Sequence, residues 1–254
     1  MSEHPAAEDL SLFASWRDPA SGSIYPIGRL IRRGRGDAAN YSFAYLKLAE
    51  QLHGFEPLPG LPDLHRRYES DRLFPVFANR VMPRSRPEFD LLATRVHLTS
   101  DADPFEVLAR AGGRRATDRI EVFAAPSPSE DGQGCALFFV RGLRHVDGAA
   151  EAASTLRYGD QLALVDDPQN DYNTRAVILR VCDGRQLGWV PDYLVDFVHE
   201  MRQLNDADPV VAVEHLNEQS VPAHMRLLCR MTAPWPDGYV PFSGPEFQSL
   251  ADLS

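Results

Sequence analysis

The chain has 254 residues, 44% hydrophobic and 24% charged, a length that allows two small domains and a composition that excludes a disordered or fibrous chain. Its formal net charge of −10, from 26 basic and 36 acidic residues, argues against a broad electrostatic coating of nucleic acid. No run of about 18 apolar residues exists and Met1-Ser2-Glu3-His4-Pro5 does not read as a signal peptide, so a cytoplasmic protein is the expectation.

In chain order, residues 1–11 read as a disordered start. Leu12–Trp16 and Ile24–Ile31 read as strands joined by a turn at Asp18-Pro19 and Ser21-Gly22-Ser23, which makes a hairpin. Residues 41–52 read as a strand followed by a short helix. Three prolines in residues 55–62 exclude a regular helix there. A helix is expected over 71–81, capped by Ser70 or Asp71, with Leu73, Phe74, Phe77 and Val81 on one side. Another short helix is expected over 86–93. The clearest helix is 103–111, with Asp103 as N-cap, Pro104 in the first turn and Gly112-Gly113 as the stop. Residues 118–124 read as a strand.

Residues 126–135 are rich in Pro, Ser, Gly and polar types and read as a linker. Beyond it the pattern becomes strand-rich, with strands expected over 136–141, 161–165, 176–181, 186–190, 210–216 and 225–231. One helix, 191–204, carries Leu194, Phe197, Val198 and Met201 at helical spacing. Many short strands with one helix suggest a small barrel or a strongly bent sheet over 136–232. Residues 233–254 read as an irregular tail.

Three segments could carry chemistry. Between two apolar runs lies Asp167-Pro168-Gln169-Asn170-Asp171-Tyr172-Asn173, in which Asx side chains can hold a rigid turn. Tyr172 is then either a stacking face beside Asn170 and Asn173 or a plug at a sheet edge. At the end of a strand, Arg141-Gly142-Leu143-Arg144-His145 offers Arg144 and His145 to a phosphate or sugar hydroxyl, or else is a solvated strand end. In Gln186-Leu187-Gly188-Trp189, Gly188 permits close backbone approach and Trp189 is either a core anchor or a stacking platform. The Arg32-Arg33-Gly34-Arg35-Gly36 run is the densest basic cluster and reads as a solvated hairpin turn. Cys135, Cys182 and Cys229, odd in number and 47 apart, fit neither a disulfide framework nor a zinc site and read as buried thiols. No histidine pair has a metal-binding spacing, and His199-Glu200 reads as a solvated helix face.

Together, Gly142-Leu143-Arg144, the Asp167–Asn173 loop with Ala176, Gln186-Leu187-Gly188 and Val221-Pro222-Ala223-His224-Met225 resemble the HIRAN domain. The resemblance implies an OB-like barrel with a binding pocket and no catalytic centre. It implies binding of single-stranded DNA or a DNA 3′ end, as in chromatin-remodelling helicases that carry the domain. Arg144 and His145 would face the terminal nucleotide, Asn170, Tyr172 and Asn173 would form the wall that stacks on it, and Trp189 would sit beside them. Two positions depart from the 3′-end-binding pattern: Asn173 stands where that pattern has Asp, and Asp192 where it has a basic residue.

Residues 12–125 have a second resemblance, carried by Pro26–Leu30, Leu73–Pro83 and Pro104–Ala109. These look like the N-terminal subdomain of HipA-type toxin kinases. That resemblance implies an α+β domain and an alternative role, an interaction or antitoxin-like protein that docks on and regulates a HipA-type kinase core. The kinase motifs themselves are missing: no Gly-rich phosphate loop and no His-Arg-Asp segment follows residue 125, and Lys47 is the one lysine. The combined expectation is a two-domain α+β protein of bacterial type, non-catalytic, without metal or cofactor, whose second domain binds nucleic acid. Residues 1–135 carry 17 basic and 19 acidic residues, and residues 136–254 carry 9 and 17. The expected DNA binder is therefore the more acidic half, which narrows the expectation from coating to capture of a strand end.

Overall fold

Alternating apolar residues on either side of an Asp18 turn set the first hairpin. Asp18 Oδ1 accepts from the Ala20 amide at 2.9 Å, and the chain reverses from β1 (Leu10–Arg17) into β2 (Ile24–Arg33). The computed structural model describes residues 10–252 except 116 and 130; of the disordered start expected over 1–11, residues 1–9 fall outside the described residues, and Leu10 and Ser11 instead begin β1. The chain divides into two compact units. The first comprises residues up to Ala93, Thr99–Ala125 and those from Phe242 on; the second comprises Thr94–Leu98 and Pro126–Pro241. Both are mostly antiparallel β-structure with few helices.

In the first unit β3 (Asn40–Tyr45) is followed by α1 (Lys47–Gln51), β4 (Tyr68–Ser70), α2 (Pro75–Ala78), α3 (Phe89–Arg95), α4 (Pro104–Ala111) and β5 (Ile120–Ala124). The sheet order is β4-β3-β2-β1-β5. The α4 start is a complete capping box: Asp103 accepts from the Phe105 and Glu106 amides, and Glu106 reaches back to the Asp103 amide. Gly112 ends it at φ 76°.

Two expectations change here. The helix expected over 71–81 shrinks to α2, because Ser70 is spent in β4 against Tyr41 and the cap falls at Phe74. Arg32 is not a solvated turn residue. Strand alternation puts it on the inward series with Gly28 and Leu30, and it is fully buried against Asp103 and the Phe105 ring.

In the second unit β6 (Ser127–Pro128) and β7 (Gln133–Phe139) form a hairpin. They are followed by α5 (Ala149–Ser154), β8 (Gln161–Asp166), β9 (Val177–Arg180), β10 (Gln186–Trp189), α6 (Asp192–Asn205), β11 (Val210–Leu216) and β12 (Leu227–Pro234). The sheet order is β10-β9-β8-β11-β12-β7-β6. Residues 127–128 and 133–135 of the expected linker therefore belong to this sheet, because Ser127 pairs with Cys135 and Pro128 with Gly134. Likewise β12 runs to Pro234, and residues from Phe242 on cluster with the first unit.

The expected barrel does not close. The chain just past β7 meets β10 at one bridge, Arg141 to Trp189, with reciprocal 2.9 Å hydrogen bonds. Gly142, at φ 72°, then turns the chain away, so no second rung forms. The core sits between this bent sheet and α6, whose Leu194, Phe197, Val198 and Met201 meet Phe138, Leu179, Leu187 and Met231. The all-alanine face of α5 lets it pack on β10. Of the three cysteines only Cys229 is buried; Cys135 is half-buried and Cys182 exposed. Burial pushes the Cys229 thiol far above its ordinary range. Among the described residues no helix is long and apolar enough to cross a membrane.

Candidate functional site

β8 runs out into a polar loop and returns as β9. The loop neck is closed by the Asp167 amide donating to the Ala176 carbonyl at 2.8 Å. Inside it, Asn170 Oδ1 accepts from the amides of Tyr172 (3.1 Å) and Asn173 (3.2 Å), and Asn173 Oδ1 accepts from the Arg175 amide (2.9 Å). Both asparagines thus spend their carbonyl oxygens on the loop's own backbone, which fixes its shape. Tyr172 rides on this frame and is 68% exposed, so it does not plug a sheet edge.

Asp167 couples the loop to β10. Its Oδ2 accepts from the Trp189 indole N–H at 2.9 Å and from Asn170 Nδ2 at 3.2 Å. Trp189 in turn supports the turn after β7. A Cβ on Gly142 would stand 2.5 Å from its ring, so only glycine fits beneath the indole. Trp189 is half-buried, and its ring joins both loops. Past Gly142 the chain makes a 3₁₀ turn over Leu143–His145. Leu143 is buried as the anchor, and Arg144 and His145 are exposed. Arg144 Nε–H donates to His145 Nε2 at 2.9 Å, which requires a lone pair on that nitrogen.

The far side of the loop is buttressed by α6. Arg175 pairs with Asp196, and His199 Nε2 lies 3.0 Å from the Arg175 carbonyl oxygen. Asn173 Nδ2 donates to Asp192 Oδ1 at 3.4 Å. The two positions that depart from the 3′-end-binding pattern therefore contact each other. Here an amide donor faces a carboxylate acceptor. Asp166 is held by Arg202, so several carboxylates around the loop are already engaged.

The structure thus brings Asn170, Asn173 and Trp189 into one hydrogen-bonded frame centred on Asp167, with Tyr172 displayed on it. Arg144 and His145 join through the Gly142–Trp189 contact. Sequence reasoning missed Asp167 as the keystone and Asp196 and His199 as buttresses. For Asp167 a signal existed, since it stands three residues before Asn170 at a strand end. His199 and Glu200 are not simply solvated, because Glu200 accepts from the Tyr239 hydroxyl. Among the described residues no three His, Cys, Asp or Glu side chains converge to hold a metal ion.

Residues 133–234 match the family model described as the HIRAN domain, and a HIRAN domain occupies that part of the chain. Two solved structures are similar. A protein from Lactobacillus plantarum is 23% identical, with 40% of this chain and 99% of that one covered and a TM-score of 0.32. The HIRAN domain of human HLTF is 21% identical, with 41% and 81% covered and a TM-score of 0.31. No curated protein matches the chain. The family match begins at residue 133, so the kinase-like resemblance of residues 12–125 rests on the sequence alone.

Proposed function

We propose that the HIRAN domain of residues 133–234 binds nucleic acid without catalysis, taking the end of a single DNA strand in a small pocket. The observation that carries this reading is the frame of Asp167, Asn170, Asn173 and Trp189. It holds the Tyr172 ring 68% exposed on a turn whose polar groups are largely satisfied internally. A large aromatic face held rigidly in water is a platform for a base, and ordering it again on binding costs little. Arg144 and His145, beyond Gly142, supply the polar contact to the phosphate or sugar.

The acidity of this half agrees with a short contact. A long basic track is missing, so affinity comes from one stacked base and a few hydrogen bonds and depends weakly on salt. Position 173 carries an amide, whose Nδ2 donates to Asp192, in place of a carboxylate that would accept from a terminal hydroxyl.

Tyr172→Ala is expected to weaken binding of a short fluorescent single strand by roughly tenfold or more, since one stacked base contributes about 1–3 kcal/mol. The substitution removes no core contact, so the unfolding midpoint stays within about 2 °C of the parent. Fluorescence anisotropy and thermal unfolding on the same samples check both. Unchanged affinity would remove Tyr172 from the interface.

A further inference from the structure

The first unit contains two adjoining cavities that the HIRAN reading leaves unused. The larger, about 470 Å³, lies between the 58–61 turn, α2 and the start of β5. Its walls are apolar (Leu58, Leu61, Phe74 and Val76), with Asn79 among the lining residues. That volume is in the range of small-molecule sites. The smaller, about 90 Å³, is lined by Arg17, Arg114 and Arg119. Both include Arg115, Asp118 and Ile120 in their walls, so they are two compartments of one depression.

Charge divides between the compartments. Arg80, only 3% exposed, has a partner on each of its three side-chain nitrogens. It holds Asp118 through two hydrogen bonds of 3.0 and 2.7 Å and donates to the carbonyls of Val76, Gly113 and Ile120. The Arg80–Asp118 pair is therefore a strut between the cavities. Burial alone would raise the Asp118 carboxyl, but the Arg80 and Ile120 hydrogen bonds outweigh it and hold the group below its usual range. Glu121 stands 3.8 Å from Arg114. Arg115 and Arg119 are exposed and donate no side-chain hydrogen bond to any described residue. The small compartment thus keeps a surplus of guanidinium donors in an otherwise acidic protein.

We propose that this depression binds a nucleoside phosphate. Several guanidinium groups around a small cavity suit a phosphate, which has three oxygens to share among them, better than a carboxylate. The apolar compartment accepts a flat body. The Asn79 amide, one donor and one acceptor side by side, suits the edge of a heterocycle rather than an acyl chain. This site is independent of the HIRAN reading.

The test is equilibrium dialysis of adenosine 5′-monophosphate against the full chain, with adenosine, inorganic phosphate and octyl phosphate as competitors. The nucleotide should bind, inorganic phosphate should compete weakly, and adenosine and octyl phosphate should compete poorly. Arg115→Ala with Arg119→Ala, both on exposed positions, should weaken binding about tenfold or more. Tyr172→Ala should leave it unchanged. The proposal is overturned by no binding at millimolar nucleotide, by adenosine or octyl phosphate matching the nucleotide, or by full retention in the double variant. Loss in Tyr172→Ala alone would move the nucleotide to the HIRAN domain and equally overturn it.

Discussion

Gly188→Ala is expected to destabilise the second unit by roughly 3 kcal/mol or more, the sum of overpacking and a strained backbone. Gly188 sits at φ 153°, and a Cβ there would stand 2.2 Å from the Arg141 carbonyl oxygen. That oxygen accepts from the Trp189 amide in the one bridge between β10 and the chain past β7. The methyl group therefore pushes apart the joint on which Trp189, and through it the Asp167 loop, is hung. Gly184→Ala is the matched control. It also has positive φ, 89°, but nothing lies within 4 Å of its Cβ, so it costs the strain alone. Denaturant unfolding followed by tryptophan fluorescence compares them. Equal midpoints for the two variants would show that the bridge is not tightly packed.

Arg230→Ala should cost roughly 2–3 kcal/mol, less than a fully buried pair because the Arg230 side chain is 42% exposed. Glu214 is 7% exposed and accepts from Arg230 Nε and one Nη at 2.8 and 2.7 Å. It projects from a register shift in β11 between Val213 and His215, the irregularity that lets it reach across to β12. Removing the guanidinium leaves a buried carboxylate that has lost both Arg230 hydrogen bonds, with the His97 ring 3.5 Å away. The double variant Glu214→Leu with Arg230→Met should recover most of the loss, because two apolar groups need no partner. Chemical denaturation of the parent, Arg230→Ala and the double variant measures both effects. A single variant as stable as the parent would contradict the assignment.

Much of the architecture was readable from local signals. The Asp18 turn, the Asp103-Pro104-Phe105-Glu106 capping box and the i, i+3, i+4, i+7 stripe of α6 are each written within one turn or one helix. What was missed depends on residues far apart. Arg32 looks like part of a solvated basic run until Asp103 and Glu106, more than 70 residues later, cap it inside the sheet. α5 has no apolar period to read, since alanines form its buried face. β6 forms despite Pro128 because it is an edge strand. The barrel expectation failed at one residue, Gly142, whose left-handed turn ends the pairing after a single rung.

The candidate site shows the same division. Each of its loops is legible as an Asx turn or a glycine turn, whereas the joint between them is not. Trp189 sits on a strand, its indole partner Asp167 stands 22 residues earlier, and Gly142 lies earlier still. The contact between Asn173 and Asp192 is likewise invisible in sequence, where each reads as a separate departure. In space the Asn173 amide donates to the Asp192 carboxylate.

The most direct test of the central claim compares two otherwise identical short fluorescent single strands, one with a free 3′ hydroxyl and one with a 3′ phosphate, by anisotropy at low salt. The free end is expected to bind saturably and the blocked end more weakly, with both lost in Tyr172→Ala. Equal failure of both strands to bind the parent protein would contradict it.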